Sequence, residues 1–251
     1  MEYLIAILGG LLAGIINTLA GSGSAITMSI LALVFHLPEN VANGTNRIGV
    51  LLQSTVASLT FYKAGKLNFR GSSMLMMPTI IGAILGVWAA IVISNEQFKI
   101  VFEVMMVAML AVVLIKPKRW VRESAFTGEL KWYMIPLFIA IGFYGGFIQM
   151  GVGVLLLAAL VLGAKYSIIE SNAVKVVIVG VYTVIVLAIF QWKGLVDWKI
   201  GSILAIGQGI GGWLASRFAT QHPKANVWAH RLLVLVILWA VFKIVSKYVF
   251  V

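Results

Sequence analysis

The chain has 251 residues, of which 61% are hydrophobic and only 11% are charged. A soluble domain of this size could not cover its surface with so few charges, so the composition excludes one. The net charge is +11, but the basic residues lie in short segments between apolar runs. That distribution is typical of membrane-protein loops and speaks against nucleic-acid binding.

Ten apolar elements follow one another along the chain, and several are long enough to span a hydrocarbon core about 30 Å thick. In the first half we predict helices over residues 3–20, 23–36, 41–63, 71–94 and 98–115. In the second half we predict helices over residues 132–150, 152–164, 168–192, 199–220 and 227–249. The sequence therefore predicts an all-α fold, a polytopic transmembrane helical bundle.

One sustained polar segment, residues 116–131, divides the chain. We predict a first transmembrane repeat over residues 1–115, a basic linker over 116–131, and a second transmembrane repeat over 132–251. The three together form a single integral membrane domain. The first apolar run starts at Tyr3 without a basic n-region, so we expect it to be part of the folded protein rather than a signal peptide.

The second half is a diverged copy of the first. Asn43 and Asn172 lie 129 positions apart. Three further pairs keep this separation: Phe61 and Phe190, Gly65 and Gly194, and Gly82 and Gly211. Each half crosses the membrane three or five times, and because both numbers are odd, the second copy is inverted relative to the first. The pattern predicts two inverted-topology repeats of about five helical elements each.

The second element of each half is short, and residues 23–36 give only about 21 Å of helix. Two arrangements stay open for the first two elements of each half. They either span the membrane or form a re-entrant hairpin with its tip at the glycine motif, residues 21–23 or 151–153. Irregular backbone at membrane depth survives only beside protein or a water-filled cavity, so such a tip already indicates a site.

Polar residues cluster at these glycine motifs and at the start of the following long helix. A glycine-rich break before a short helix presents free backbone N–H groups and the positive end of the helix dipole, which bind oxyanions. A charge that faces lipid costs at least about 2.5 kcal/mol, so we expect Arg47 and Lys175 to face a polar interior. The candidate substrate-binding residues are Asn17, Gly21, Ser22, Gly23, Ser24, Thr45, Asn46, Arg47, Gln53, Gln149, Gly151, Gly153, Asn172 and Lys175.

Plainer interpretations stay open for several of these residues. The glycines at 21, 23, 151 and 153 could serve only close helix packing, and Arg47 or Lys175 could snorkel to an interface. The pairs Gly82-xxx-Gly86 and Gly207-xxx-Gly211 are predicted packing seams. Glu103 is a candidate proton carrier, although a local pair with Lys99 also accounts for it.

An enzyme would need a nucleophile with a base, or a metal cluster. The chain has no cysteine, its three histidines are scattered, and no acid pair lies within a predicted helix. We therefore expect no catalytic activity, no metal and no cofactor.

The segments 14–24 (GIINTLAGSGS) and 43–49 (NGTNRIG), with a weaker repeat at residues 151–153, resemble the sulfite exporter TauE/SafE family. This family is also called the 4-toluene sulfonate uptake permease family. The resemblance covers nearly the whole chain, including the two halves and the basic linker. It implies transport of sulfite, organosulfonates and related sulfur-containing anions across bacterial membranes, and it points most directly to Asn46 and Arg47 as site residues.

Together these patterns predict a transporter of small anions, with sulfur oxyanions or organosulfonates as the expected substrates and alternating access around a site between the repeats. An anion channel, or a transporter of another small anion such as a carboxylate, stays an alternative. The expected partners are the anionic substrate and the lipid bilayer. A proton or sodium coupling ion and a homo-oligomer both stay open. The resemblance implies a multi-pass protein of the bacterial plasma (inner) membrane, and the loop charges favour both termini outside the cytoplasm.

Overall fold

The computed structural model describes residues 1–67, 69–92, 96, 132, 134–222, 224–225, 227–232 and 234–235. The predicted helix 98–115, the linker 116–131 and most of the predicted helix 227–249 lie outside this part of the chain. The proposed Lys99–Glu103 pair lies outside it as well.

The described helices match the predicted elements to within about three residues at most ends. In the first half, α1 is Glu2–Leu19, α2 is Ser24–Leu33, α3 is Glu39–Lys63 and α4 is Phe69–Val92. In the second half, α5 is Met134–Phe147, α6 is Val152–Ala158, α7 is Ile168–Trp192 and α8 is Trp198–Gln221. A π-helical turn, Ala159–Gly163, continues α6. The all-α prediction is confirmed for the described residues.

Within the described residues, three helical segments are long and apolar enough to cross a membrane by length and composition: Glu2–Leu19, Ser73–Val92 and Ile168–Trp192. The shorter apolar segments Ser24–Leu33, Met134–Phe147 and Val152–Gly163 do not reach that length. Two of these segments, Ser24–Leu33 and Val152–Gly163, follow the glycine motifs of the two halves, as the sequence predicts.

Local signals start the long helices where the sequence predicts. Pro38 precedes α3; it fixes its own φ and has no N–H that the helix would leave unpaired. Ser167 and Glu170 form a reciprocal capping box at the start of α7, which satisfies two otherwise free backbone donors. Asp197 caps α8 by accepting from the N–H of Ile200 at 2.9 Å. These caps fix the points at which α3, α7 and α8 enter the bundle.

Each short helix folds back along the helix before it. The start of α2 at Gly23 touches the backbone of Ala13, and further along, Ile30 packs over Gly9. In the second half, a Cβ at Gly163 would lie 3.3 Å from Met134 Cε, so the end of the α6 segment returns to the start of α5. Helices α1 and α2, and helices α5 and α6, are therefore two antiparallel hairpins.

The two halves are joined by glycine-lined seams in which the first helix of each half packs on the fourth helix of the other. Helix α1 packs on α8, and α4 packs on α5. The seam residues Gly207 and Gly211 approach the α1 backbone, and Gly82 and Gly86 approach the α5 backbone, so closely that an added Cβ would collide with carbonyl oxygens. The prediction that these glycines are packing seams is confirmed. Helices α3 and α7 contact each other at the centre of the bundle.

Candidate functional site

The two glycine motifs meet at the centre of the described bundle. Gly21 and Gly151 have φ values of 86° and 76°, which place them in the left-handed region that glycine adopts without a Cβ penalty. A Cβ added at Gly21 would lie 2.6 Å from both Gly153 Cα and Val154 N. The tips of the two hairpins are therefore in direct backbone contact, which brings the first half and the second half together at one point.

A small cavity lies beside this contact. Its polar lining consists of Asn17, Gln53, Ser54, Gln149 and Lys175. Gly153 and three valines, at positions 152, 176 and 179, complete the wall. Its free volume is about 10 Å³, which is the space that one water molecule needs. Both halves thus contribute polar groups to one small, central space.

Lys175 lies on α7 and is 2% exposed. Its Nζ donates to the backbone carbonyls of Asn17 and Thr18, both at 2.8 Å, and to Asn172 Oδ1 at 2.7 Å. Three acceptors need three N–H donors, which only the protonated ammonium form has. The Nδ2 of Asn172 donates to the carbonyl of Leu19 at 3.1 Å. Lys175 and Asn172 therefore hold the carboxyl end of α1, where the helix dipole favours a cation.

Arg47 lies on α3, is fully buried, and holds the carboxyl end of α5 in the same manner. Its NH1 donates to the carbonyl of Gly145 at 2.7 Å and to the Oε1 of Gln149. Its NH2 donates to the carbonyl of Gly146 at 3.0 Å and to Asn43 Oδ1 at 3.2 Å. All four terminal N–H groups of the guanidinium are thus used within the protein. Arg47 acts on the cavity through Gln149 and through its charge.

The amide side chains at the cavity are oriented by hydrogen bonds. Asn17 Nδ2 donates to Gln53 Oε1 at 2.8 Å, and Gln53 Nε2 donates to Thr18 Oγ1 at 3.0 Å. The oxygen of Gln149 accepts from Arg47 and, at 3.4 Å, from the hydroxyl of Tyr182. Because its oxygen is occupied in this way, Gln149 has its NH₂ group left as the donor for the cavity.

The interior of the described part of the bundle carries positive charge without a buried acid. Arg47 and Lys175 are both buried. The acidic residues within the described ranges are half-buried or exposed: Glu2, Glu39, Glu96, Glu170 and Asp197. The partners of the two cations are carbonyl and amide oxygens, so no acid within the described ranges neutralises the two charges.

The structure brings many of the predicted site residues together. The cavity is lined by Asn17, Gln53, Gln149, Gly153 and Lys175. Directly behind them lie Gly21, Arg47, Gly151 and Asn172.

The remaining candidates lie away from the cavity lining. Asn46 accepts from Thr27 Oγ1 at 2.6 Å and from Gln208 Nε2 at 3.3 Å. Its own NH₂ group is buried without a hydrogen-bond partner in the described chain, and so are the hydroxyls of Ser22 and Ser24. Gly23 packs on Ala13. The Thr45 hydroxyl accepts from the backbone N–H of Asp197 at 2.9 Å, so Thr45 serves the start of α8.

Two residues at the site were missing from the sequence-based set. Ser54 lines the cavity, and its Oγ is buried with no partner among the described residues. Tyr182 orients Gln149. The repeat register contained a signal for both, because Gln53 and Ser54 correspond to Tyr182 and Thr183 at the separation of 129 residues. Each half therefore carries two adjacent polar residues at the same position of the repeat. Polar residues at equivalent positions of two apolar helices indicate that these positions face the centre of the bundle.

Comparisons with known proteins agree with the resemblance seen in residues 14–24 and 43–49. The family profile described as "Sulfite exporter TauE/SafE" matches residues 6–244. No solved structure gives a significant match.

Several similar proteins are named as probable transporters. The probable membrane transporter protein ORF9 of Sinorhizobium sp is 26% identical over 213 residues, which cover 83% of this chain and 79% of that protein. A probable membrane transporter protein of Haemophilus influenzae is 25% identical over 220 residues, or 87% of this chain and 85% of that protein. The probable membrane transporter protein YfcA of Escherichia coli K12 is 21% identical over 211 residues, or 82% and 77%.

The family and these relatives are described as membrane transporters and not as enzymes, which confirms the prediction that the chain is not an enzyme. The profile match extends over both halves of the chain, and it includes both glycine turns, both buried cations and the cavity between them. The chain is therefore a membrane transporter that belongs to the sulfite exporter TauE/SafE family.

Proposed function

We propose that the protein transports small sulfur oxyanions or organosulfonates, and that the anion binds in the cavity between the two hairpins. The observation that carries this proposal is the pair of buried cations, Arg47 and Lys175, with no buried acid among the described residues. Hydrogen-bond donors for the anion come from both halves, through the amides at the cavity and the hydroxyl of Ser54. Neutral donors of this kind add no negative charge that would repel an anion.

We further propose that the two halves are inverted repeats that rock against each other. Support comes from reciprocity: the cation of the first half holds a helix end of the second half, and the cation of the second half holds a helix end of the first. The cavity has room for only about one water molecule, so the hairpins must separate before an oxyanion can enter. A site that opens by separation of two repeats is the arrangement that alternating access uses.

The proposal places the protein in the bacterial plasma membrane, with both termini outside the cytoplasm. The short helices α2 and α6 then enter the bilayer without crossing it, because the hairpin tips meet at the bundle centre. Non-helical backbone at that depth is tolerated where it lines a cavity.

Ligand stabilisation of the purified protein tests the substrate class. We expect sulfite or a short organosulfonate such as sulfoacetate to raise the melting temperature in a saturable manner, because a ligand that binds only the folded state stabilises it by mass action. Sulfate and taurine test how broad the sulfur-anion class is, and carboxylates are the comparison ligands from another class. If only carboxylates raise the melting temperature, the substrate is a carboxylate and not a sulfur anion. If no anion raises the melting temperature, the anion site is contradicted.

Substitution of Ser54 separates binding from folding. Its hydroxyl has no partner within the described chain, so Ser54→Ala should leave the unfolding free energy nearly unchanged. A hydrogen bond to a charged group contributes about 1.5–3 kcal/mol, so we expect anion affinity to fall about 10- to 100-fold. Thr55→Ala, on the outer face of the same helix, is the matched control and should bind as wild type. Equal anion affinities of Ser54→Ala and Thr55→Ala would show that Ser54 does not bind the anion.

A further inference from the structure

The surroundings of Lys175 Nζ have the form of a cation site. Three oxygen atoms lie 2.7–2.8 Å from Nζ: the carbonyl oxygens of Asn17 and Thr18 and the side-chain oxygen of Asn172. Two of these oxygens belong to the last turn of α1, directly before the left-handed Gly21. Broken helices in transporters use freed carbonyls and helix carboxyl ends to coordinate monovalent cations.

We propose that this group of oxygens is a monovalent-cation site that the chain fills with its own ammonium group. The oxygens of Asn17, Thr18 and Asn172 are its ligands, and Lys175 supplies the cation through a covalent tether. The distances fit ammonium or potassium better than the smaller sodium ion. The negative end of the α1 dipole adds to the attraction.

The ligands are held in place independently of Lys175. Asn172 is fixed by its own bond to the Leu19 carbonyl, and the α1 end is tied to α3 through the bond between Asn17 and Gln53. A pocket braced from two sides should persist when the ammonium is removed. Removal of the Lys175 side chain then leaves a vacant site the size of an ammonium ion. Large-to-small substitutions leave such cavities where the surrounding structure relaxes only in part.

The consequence concerns ion coupling. At this position the wild-type protein carries its own cation, so no dissolved sodium or potassium ion is needed to hold the carboxyl end of α1 beside the anion cavity. This inference rests on the hydrogen-bond geometry and does not depend on the identity of the transported anion.

The test is chemical rescue of Lys175→Ala. Melting temperatures of the purified full-length protein are measured in chloride salts of choline, sodium, potassium and ammonium at equal concentration, without any sulfur anion. We expect Lys175→Ala to melt well below wild type in choline chloride. Ammonium or potassium should raise its melting temperature by about 4 °C, the shift that a site occupied at ten times its dissociation constant gives a chain of this size. Wild type should melt alike in all four salts.

The exposed Lys193→Ala variant is the matched control, because it removes a lysine without opening a buried site. The proposal is overturned if Lys175→Ala melts alike in all four salts, or if the control shows the same ammonium shift. Should Lys175→Ala fail to fold, the Lys175→Ala/Asn172→Asp double variant places a carboxylate in the site and raises its affinity for cations. Identical melting of the double variant in every salt, or no folded protein in any of them, also overturns it.

These outcomes are separate from those of the anion screen. Rescue by ammonium without anion stabilisation of wild type would support the cation site and contradict the transport proposal. Stabilisation of wild type by an anion, without rescue of Lys175→Ala by ammonium, would support the transport proposal and contradict the cation site.

Discussion

Arg47→Ala is expected to abolish transport and to lower the unfolding free energy by about 3–5 kcal/mol, the cost typical of replacing a large, fully buried side chain by alanine. The substitution deprives four acceptors of their donor: the carbonyls of Gly145 and Gly146, Asn43 Oδ1 and Gln149 Oε1. Each buried polar group left unsatisfied costs about 1–3 kcal/mol. It also removes one of the two interior positive charges and frees Gln149 to rotate. Uptake into proteoliposomes and thermal melting measure the two effects.

Two further variants separate the roles of Arg47. Arg47→Lys keeps the charge but has no planar fork for four bonds, so it should recover part of the transport and little of the stability. Arg217→Ala removes an arginine from the exposed face of α8 and should behave as wild type within about 0.5 kcal/mol. The account of this residue fails if Arg47→Ala is folded in the membrane and still binds and transports anions like wild type.

The contact between the hairpin tips predicts the second large effect. Gly21→Ala is expected to destabilise the protein severely and to stop transport, because the new methyl group would lie 2.6 Å from Gly153 Cα while the backbone keeps a φ of 86°. Steric overlap and backbone strain therefore add at this position. Yield of monodisperse protein, melting temperature and proteoliposome uptake are the measurements.

Two other glycines separate these causes. Gly65→Ala has a comparable φ of 66° with no atom within 4 Å, so it tests strain alone and should cost about 1–2 kcal/mol. Gly153→Ala would place its methyl 2.7 Å from the carbonyl oxygen of Gly21 without a positive φ, so it tests overlap alone. We expect Gly153→Ala to be the more damaging of these two. A Gly153→Ala protein as stable as Gly65→Ala would mean that the tips do not touch.

The sequence predicted the helices because they depend on local patterns and on the internal repeat. Residues 168–192 were predicted with the observed bounds of α7. The predicted end of the second element at residue 36 was too late: α2 ends at Leu33, since the chain turns through His36, which has a φ of 53°. No hydrophobicity pattern reveals such a turn at a residue other than glycine.

The roles of individual polar residues were harder to predict. Arg47 was predicted as a substrate-binding residue, and the sequence did not reveal that its terminal N–H groups bind carbonyls at the end of α5. Backbone acceptors at a helix end have no signature in side-chain types, so the sequence could not show them. Thr45 was selected for its place beside Asn46, yet it caps the start of α8. Adjacent residues on a helix point about 100° apart, so neighbours in sequence can serve different sites.

The most direct test of the central claim is to locate the anion. Crystals of the protein soaked with selenite, the selenium analogue of sulfite, would show the ion by its anomalous scattering. The account predicts a selenium peak between the hairpin tips, within hydrogen-bonding reach of Ser54 and Gln149 and beside the charge of Lys175. A saturating soak that yields a peak elsewhere in the protein, with the central cavity unchanged, would contradict it.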